Sequence, residues 1–578
     1  MKVVVAKSAG FCMGVRRAVE ATLDMVNREE QGIATFGPLI HNPQVLDLLA
    51  ERGVQVLADI PPQASGTIII RAHGVPPAKK EQLRATGAQV KDATCPRVVK
   101  VQAIIRKYRQ QGCETVIIGD RNHAEVEGLI GYARGKGYVV SNEEDVQRLE
   151  IKNSYIVVSQ TTQDEEAFGR LSRMILDRYP HGKVFNTICD STHHRQDEVR
   201  NLCRQVQAMV VVGGRASANT QRLGEIAAST GCPVFMAESE EDLDITPLSK
   251  YNIVGVTAGA STPSWMINRV VQTLENLPGG RENPALLLIR KLVWLLLATN
   301  LYVSLAGGTL AWASGFLQGI APRLTHFFMA AGYLFAMHNL NRYIEQRAKK
   351  FNDPGRALFQ HRYRVPLLAA SVAGLTVALA AAFRLGQGPF LALAAMSTLG
   401  LLYRFRFIPR PLSTLIRIRR LKEIPGSKTF FVAVAWAFVT VLLPAWGAAS
   451  ITLSTWGTLL FLLLFMYVRS AMFDVLEVQG DRIVGKETLP VFIGEKRTLK
   501  LLHLMIGLLL AMALLFPALG LMEAAGWWLL PGVLFLAGLI RDYEKGRIPS
   551  GLKLELGLET TLYLLSAFVW LGAVLRQF

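Results

Sequence analysis

Residues 1–18 read MKVVVAKSAGFCMGVRRA. A short β-branched run leads into a glycine-containing loop that ends at Cys12, and a helical pattern follows. The same order recurs twice, because Cys95 follows QVKDAT in DATCPRV and Cys189 follows KVFNTI in TICDST. The three cysteines are 83 and 94 residues apart, a spacing that indicates one cysteine from each of three similar subdomains.

Similar β-branched runs alternate with helical patterns through residues 1–280. The clearest runs are KVVVA, TIIIRA, TVIIG, YIVVSQ, MVVVGG and NIVGVTA. Continuous apolar runs separated by helix-length segments predict parallel strands that are covered on both faces, so the class is α/β. Ligands of such sheets bind at the carboxyl ends of the strands.

The charge of the 578-residue chain is distributed unevenly. Residues 1–280 hold 32 Lys and Arg against 31 Asp and Glu, whereas residues 281–578 hold 31 against 14. The second half is therefore both basic and apolar, which indicates a lipid bilayer and excludes a nucleic-acid partner, because nucleic-acid binders spread their basic residues over a polar surface. We predict two domains, 1–280 and 281–578, joined by the linker ENLPGGRENP.

Six cysteines are too few for a disulfide scaffold, and none has the C-x-x-C spacing of a zinc or thioredoxin site. The N-terminus lacks the apolar core of a secretory signal, so we expect the first domain in the reducing cytoplasm. Three converging thiolates at Cys12, Cys95 and Cys189 could hold an iron–sulfur cluster with one iron free of protein thiolate. The alternative is that they are inert core cysteines, which is our interpretation of Cys113, Cys203 and Cys232.

Nine apolar segments in the second half approach the ~20 residues that span a bilayer. They are 291–316, 322–340, 365–384, 389–404, 429–447, 453–473, 498–520, 526–541 and 558–576. Basic residues concentrate in every second loop, with seven Lys and Arg in 341–364 and eight in 404–428. By the positive-inside rule these loops face the cytoplasm, so the sequence predicts a multi-pass protein of the cytoplasmic membrane with a cytoplasmic first domain.

Polar side chains form a second constellation at the predicted strand ends. They supply imidazoles, hydroxyls, an amide and a carboxyl, with no matching set of Lys or Arg. The residues are His41, His73, His123, Glu125, Thr161, Ser217, Asn219 and Ser261. Donors of these types can enclose a diphosphate in a closed pocket, although any one of them could equally be a satisfied loop residue.

At these residues the first half resembles the LytB family of 4-hydroxy-3-methylbut-2-enyl diphosphate reductases over its whole length. The matching motifs are GFCMGVRRA, IHNPQV, RAHGV, DATCP, HAEVEG, QTT, TQRL and GVTAGAST. The resemblance implies three α/β subdomains around a central [4Fe–4S] cluster, an allylic diphosphate substrate and a ferredoxin- or flavodoxin-type electron donor. The chain departs from the family pattern at Ala218, where a hydroxyl is usual, and at His194, near a usual Asn.

The same resemblance assigns roles to the residues. It implies that Cys12, Cys95 and Cys189 bind three irons and that the fourth takes the substrate hydroxyl. The diphosphate would be held by His41, His73, Ser217, Asn219 and Ser261. His123 and Thr161 would lie near the substrate, and Glu125 would relay the proton. An alternative is that the site serves another diphosphate.

Two stretches of the second half, 421–444 and 473–494, resemble the UbiA superfamily of membrane prenyltransferases, which have nine helices. Asp474, Glu477 and Asp481 match its second acidic motif, which implies a Mg²⁺ site for a prenyl diphosphate. The first acidic motif, N-D-x-x-D-x-x-x-D in the family, is here NRYIEQRAK, with Arg342 and Lys349 in place of carboxylates. Two hypotheses follow: an active transferase, or a degenerate fold that serves as a membrane anchor or lipid-binding scaffold.

Overall fold

The computed structural model describes residues 1–28, 32–277, 284–344, 352–402, 426–486, 488–548 and 551–576. The chain divides into two compact units, Met1–Glu282 and Asn283–Phe578.

The first unit contains three four-stranded sheets, and every strand pair in them is parallel. The strands are β1 (Lys2–Val5), β2 (Ile33–Phe36), β3 (Gln55–Leu57), β4 (Thr67–Ile70), β5 (Gln89–Asp92), β6 (Glu114–Ile118), β7 (Gly137–Val140), β8 (Tyr155–Ser159), β9 (Lys183–Val184), β10 (Ala208–Val212), β11 (Val234–Ala237) and β12 (Ile253–Ala258). The sheet orders are β1-β12-β10-β11, β3-β2-β4-β5 and β7-β6-β8-β9. The first sheet therefore joins the two ends of the unit.

Helices connect the strands, as parallel pairing requires. They are α1 (Met13–Asn27), α2 (Pro43–Glu51), α3 (Pro77–Ala85), α4 (Pro96–Gln110), α5 (Ala124–Ala133), α6 (Glu143–Gln147), α7 (Glu165–Arg178), α8 (Asp190–Cys203), α9 (Ala218–Ser229) and α10 (Ser264–Asn276), with a 3₁₀ turn at Pro247–Lys250. The predicted α/β class with parallel strands is confirmed.

The continuous apolar runs are the inner strands. All residues of β4, β6, β8 and β10 are buried, because helices cover both faces of each sheet. The outer strands β3 and β9 are only three and two residues long and are largely exposed, so they carry no apolar run that the sequence pattern could reveal.

Every element of regular secondary structure that the structure describes in the second unit is a helix. Its helices are α11 (Pro284–Ala298), α12 (Leu301–Gln318), α13 (Leu324–Ile344), α14 (Pro354–Arg362), α15 (Arg364–Leu385), α16 (Gln387–Leu402), α17 (Ser427–Ala437), α18 (Leu443–Gly447), α19 (Leu453–Val484), α20 (Leu489–Ile493), α21 (Glu495–Ala518), α22 (Leu530–Glu544) and α23 (Leu552–Val574). A π-helical turn, Phe438–Leu442, joins α17 to α18, and a 3₁₀ turn, Ala524–Leu529, leads into α22. One large apolar core runs through the bundle.

Within the described ranges, six helical segments are long and apolar enough to cross a membrane, or seven if the bent pair α11 and α12 counts as one. The predicted count of nine spans is therefore not confirmed, although the described part of each of the nine predicted segments lies mostly on helix. The first segment breaks between Ala298 and Leu301 with a bend of 71°. Helix α16 has only 16 residues, and α13 carries polar residues that include Asn339 and Arg342.

Candidate functional site

The three repeated cysteines occupy equivalent positions in the fold. Cys12, Cys95 and Cys189 are the N-cap residues of α1, α4 and α8. The amino end of a helix carries partial positive charge and lowers the free energy of a thiolate placed there. Three helices from three subdomains thus present a cysteine in the same way.

Each cysteine is fixed to a strand-end loop that also carries a predicted substrate residue. The Cys12 amide donates to the Ala260 carbonyl (3.1 Å), next to Ser261. The Cys95 amide donates to the Ala72 carbonyl (2.9 Å), next to His73. The Cys189 amide donates to the carbonyl of Thr161 itself (2.9 Å). The cysteines and the polar constellation therefore belong to one site.

The three thiols lie within electrostatic reach of one another. Burial raises the pKa of the Cys95 thiol, the amides of Arg97 and Val98 lower it, and the charges of Cys12 and Cys189 raise it again. Mutual repulsion of this kind is relieved when thiolates share a cationic metal centre. Three thiols at three helix termini fit a cluster with three protein ligands, such as [4Fe–4S] with one open iron.

Three histidines from three strand ends lie together. The ring centroids of His41 and His73 are 4.7 Å apart, and that of His123 is 5.7 and 5.4 Å from them. Burial lowers the pKa of all three, well below the usual value for His73 and to about 4 for His123. They are therefore neutral at pH 7, and their nitrogens are close enough together to bind a metal ion or a phosphate group.

Several polar atoms of this constellation have no hydrogen-bond partner among the described residues. They are His41 Nε2, His73 Nδ1 and Asn219 Nδ2, and all are buried. Ser217 caps α9, and the Ser261 hydroxyl donates to the His41 carbonyl (3.0 Å) and lies 3.5 Å from the Ser217 hydroxyl. Unpaired buried polar atoms cost free energy unless a ligand pairs with them, so these atoms indicate a polar ligand.

Glu125 is the carboxyl group of the site, and it is 1% exposed. The amide and hydroxyl of Thr161 donate to its two oxygens at 2.7 and 2.8 Å. Burial raises the pKa of Glu125 to about 7, although the two hydrogen bonds from Thr161 act to lower it. Near neutral pH the group therefore exists in both protonation states, as a proton donor requires.

Sequence reasoning missed two arginines. The motifs showed no matching set of Lys or Arg, but the charge of Arg71 acts on all three imidazoles and contributes to lowering their pKa values. Arg71 lies in the motif RAHGV, two residues before His73, and this closeness in sequence could have identified it as a residue of the site. Arg195 is 3% exposed, donates to the carbonyls of Ala258 (3.0 Å) and Gly10 (2.6 Å), and lies near Cys12.

In the second unit, Asp474, Glu477 and Asp481 lie on α19. Asp474 accepts a hydrogen bond from the Thr429 hydroxyl, and an Asp481 oxygen lies 3.3 Å from Lys486 Nζ. At the first motif Asn341 is exposed and Arg342 partly buried, while Glu345 and Lys349 lie outside the described residues. Among the described residues of the two motifs, the carboxylates lie on α19, with Lys486 beside Asp481 and Arg342 near Glu477. Arg342 does not fit the first magnesium motif of the family, whereas both oxygens of Asp481 in the second motif are buried and have no hydrogen-bond partner among the described residues.

Two family models match the chain: LytB protein at residues 3–275 and UbiA prenyltransferase family at residues 300–549. A 4-hydroxy-3-methylbut-2-enyl diphosphate reductase of Geobacter sulfurreducens is 41% identical over 282 residues, which are 49% of this chain and all of that protein. The corresponding protein of Opitutus terrae is 39% identical over 289 residues, 48% of this chain and all of that protein.

Solved structures match each half. The structure of an (E)-4-hydroxy-3-methyl-but-2-enyl diphosphate reductase is 38% identical, with a TM-score of 0.38, and covers 48% of this chain and 99% of that one. A UbiA homolog from Archaeoglobus fulgidus bound to GPP and Mg²⁺ is 18% identical, with a TM-score of 0.36, and covers 48% and 99%. The sequence identity to the Geobacter and Opitutus relatives, with the whole of each covered, shows that the chain belongs through its first half to the LytB family of 4-hydroxy-3-methylbut-2-enyl diphosphate reductases, and residues 300–549 match the UbiA prenyltransferase family model.

Proposed function

We propose that the first unit reduces 4-hydroxy-3-methylbut-2-enyl diphosphate to isopentenyl and dimethylallyl diphosphate. One observation carries the proposal. Three N-cap cysteines share a site with the Thr161–Glu125 pair and with buried imidazole and amide atoms that have no hydrogen-bond partner among the described residues. We assign the reductase to residues 1–280 and the membrane domain to residues 281–578.

The polar constellation would bind the diphosphate end of the substrate. His41 Nε2, His73 Nδ1 and Asn219 Nδ2 are buried atoms that need a partner, and phosphate oxygens accept strong hydrogen bonds. Ser217 follows β10 and Ser261 follows β12, and their hydroxyls, 3.5 Å apart, add further polar groups to the site. Ala218 removes one further donor, and we expect only a modest loss of affinity because these neighbours remain.

The reaction breaks the allylic C–O bond, consumes two electrons and two protons, and releases water with one new C–H bond at either allylic end. Cys12, Cys95 and Cys189 would hold a [4Fe–4S] cluster, which would supply the two electrons and Lewis acidity toward the substrate hydroxyl. The protein's own contribution is the proton. Glu125, with a pKa of about 7, passes it through the Thr161 hydroxyl at 2.8 Å.

The electrons would come from a ferredoxin- or flavodoxin-type donor in the cytoplasm. The basic loops of the membrane half support an orientation in which the reductase lies on that side of the cytoplasmic membrane. The six apolar helices make the chain a multi-pass membrane protein.

An anaerobic assay of the full chain in detergent tests the proposal. Reduced viologen dye and 4-hydroxy-3-methylbut-2-enyl diphosphate are supplied, and dye oxidation is compared with product formed. We expect two one-electron equivalents per product and no turnover by a Cys95→Ser variant. Dye oxidation at the blank rate by cluster-loaded protein would refute the assignment. Competition by other diphosphates tests whether the site prefers a different substrate.

A further inference from the structure

Arg195 lies on α8, the helix whose N-cap is Cys189, and it is 3% exposed. Its Nη2 atom donates to the Gly10 carbonyl at 2.6 Å, and its Nη1 atom donates to the Ala258 carbonyl at 3.0 Å. Gly10 belongs to the loop between β1 and Cys12, and Ala258 is the last residue of β12. The guanidinium therefore joins α8 to the two strand ends beside Cys12.

A second residue of α8 holds the same loop. Glu198, three positions after Arg195, accepts hydrogen bonds from the backbone amides of Lys7 at 2.6 Å and Ser8 at 2.8 Å. The loop that leads to Cys12 is thus attached to α8 through an arginine and a carboxylate. Because the N-cap of α8 is itself a cysteine of the site, this helix positions two of the three predicted iron ligands.

Arg195 also places a buried positive charge at these cysteines. Burial lowers the pKa of Arg195, and the charges of Cys12, Glu198 and Cys189 raise it. An arginine side chain keeps its proton in proteins, so the positive charge is permanent. It lies within electrostatic reach of two thiolates that would bind iron.

One donor of this guanidinium is unused. Arg195 Nε is buried and has no hydrogen-bond partner among the described residues, whereas both Nη atoms donate to carbonyls. A buried N–H without an acceptor costs free energy. The sulfur atoms of an iron–sulfur cluster accept hydrogen bonds, so a cluster on the cysteines would offer the kind of acceptor that Nε lacks.

Both features act on reduction in the same direction. One-electron reduction makes a cluster one unit more negative and neither forms nor breaks a bond. A fixed positive charge nearby stabilises the more negative state. Net charge and hydrogen bonds to the sulfur atoms set the potential of such clusters, so a buried arginine at two of the ligands should make reduction easier.

We propose that Arg195 is a positioning residue that raises the reduction potential of the cluster by placing a buried positive charge and a free N–H donor beside Cys12 and Cys189. The inference rests on the proposed function in one respect, the placing of a [4Fe–4S] cluster on the three cysteines. Glu198 carries the opposite charge within electrostatic reach of Arg195, so the two residues should shift the potential in opposite directions.

A redox titration of the full chain in detergent, loaded with cluster anaerobically and free of substrate, tests the proposal. Dithionite supplies the electrons, redox mediators equilibrate them, and the visible absorbance reports the oxidised fraction. Arg195→Gln should make one-electron reduction about tenfold less favourable, which lowers the potential by about 59 mV. Arg195→Lys keeps the charge and should recover most of this loss. An unchanged potential in Arg195→Gln, or an equal loss in both variants, would overturn the proposal.

Two further variants on α8 make the test specific. Arg200→Gln removes a partly exposed cation that lies 3.4 Å from Asp164, and its potential should equal that of the wild type. A loss as large as that of Arg195→Gln would refute a particular role for Arg195. Glu198→Gln should raise the potential. If the Arg195 variants do not assemble a cluster, Glu198→Gln decides, since an unchanged or lower potential there contradicts the proposal.

Addition of 4-hydroxy-3-methylbut-2-enyl diphosphate to the same preparations separates this inference from the proposed function. Wild-type turnover, together with an unchanged potential in Arg195→Gln, removes the inference and leaves the function. A lowered potential in Arg195→Gln, together with no wild-type turnover, removes the function and leaves the inference. Wild-type protein that retains no iron after reconstitution would overturn both.

Discussion

Gly14, in the first turn of α1, packs directly on Cys95 at the start of α4. A Cβ atom at Gly14 would lie 2.5 Å from Cys95 Sγ and 2.9 Å from its Cβ. Two cysteine-bearing helices approach this closely only because residue 14 has no side chain. The glycine in the motif GFCMG therefore sets the position of a cysteine 81 positions away in the sequence.

We predict that Gly14→Ala prevents assembly of the cluster site. Alanine normally stabilises a helix by about 0.5–1 kcal/mol relative to glycine, but here its methyl group must displace Cys95. The measurement is the visible iron–sulfur absorbance and iron content after anaerobic reconstitution. The control is Gly169→Ala in α7, where a Cβ meets no atom within 4 Å. Normal iron content in Gly14→Ala would show that the contact is not needed.

Cys95→Ser should abolish the iron–sulfur absorbance, because a serine hydroxyl is a much poorer iron ligand than a thiolate. Cys113→Ser is the matched control, since Cys113 is also a free, partly buried cysteine of the first unit but is not an N-cap residue. We expect its spectrum to be unchanged. An unaltered spectrum in Cys95→Ser would remove Cys95 from the ligand set.

Glu125→Gln should keep the cluster but reduce turnover by about 10²- to 10⁴-fold, the usual contribution of a positioned acid. Because the protonated form is the donor and its pKa is about 7, wild-type activity should decline above pH 7. Glu143→Gln, at an exposed residue, should retain full activity. Wild-type-like rates in Glu125→Gln would place the proton source elsewhere.

Thr161→Val should lower the turnover rate and should shift the loss of activity at alkaline pH to a higher pH. The Thr161 hydroxyl donates to Glu125 and so lowers its pKa; without it the carboxyl stays protonated to higher pH. The measurement is the pH profile of kcat/KM. A lower rate with an unshifted profile would mean that Thr161 acts only on substrate position.

Diphosphate binding should be accompanied by proton uptake. Burial holds the pKa of His73 well below 6.5 and that of His123 at about 4, so both are neutral at pH 7 in the free protein. A nearby polyanion favours the protonated imidazole and raises these pKa values, so affinity should increase as pH falls. Calorimetry in two buffers of different ionisation enthalpy measures the uptake. Identical heats in both buffers would contradict it.

The sequence by itself determined the inner strands, the cysteine spacing and the apolar segments. The runs at β4, β6, β8 and β10 are readable because strands covered on both faces must be apolar throughout. The acidic residues of α19 were likewise visible, because they match the second acidic motif of the family that the second half resembles.

Only the tertiary structure showed what surrounds those residues. The amide contacts from Cys12, Cys95 and Cys189 to three strand-end loops and the hydrogen bonds between Thr161 and the buried Glu125 all join residues far apart in the chain. A pKa or an unsatisfied hydrogen bond depends on every group packed around an atom, and a linear pattern does not contain that information. For the same reason the break between α11 and α12, within one apolar run, was visible only in three dimensions.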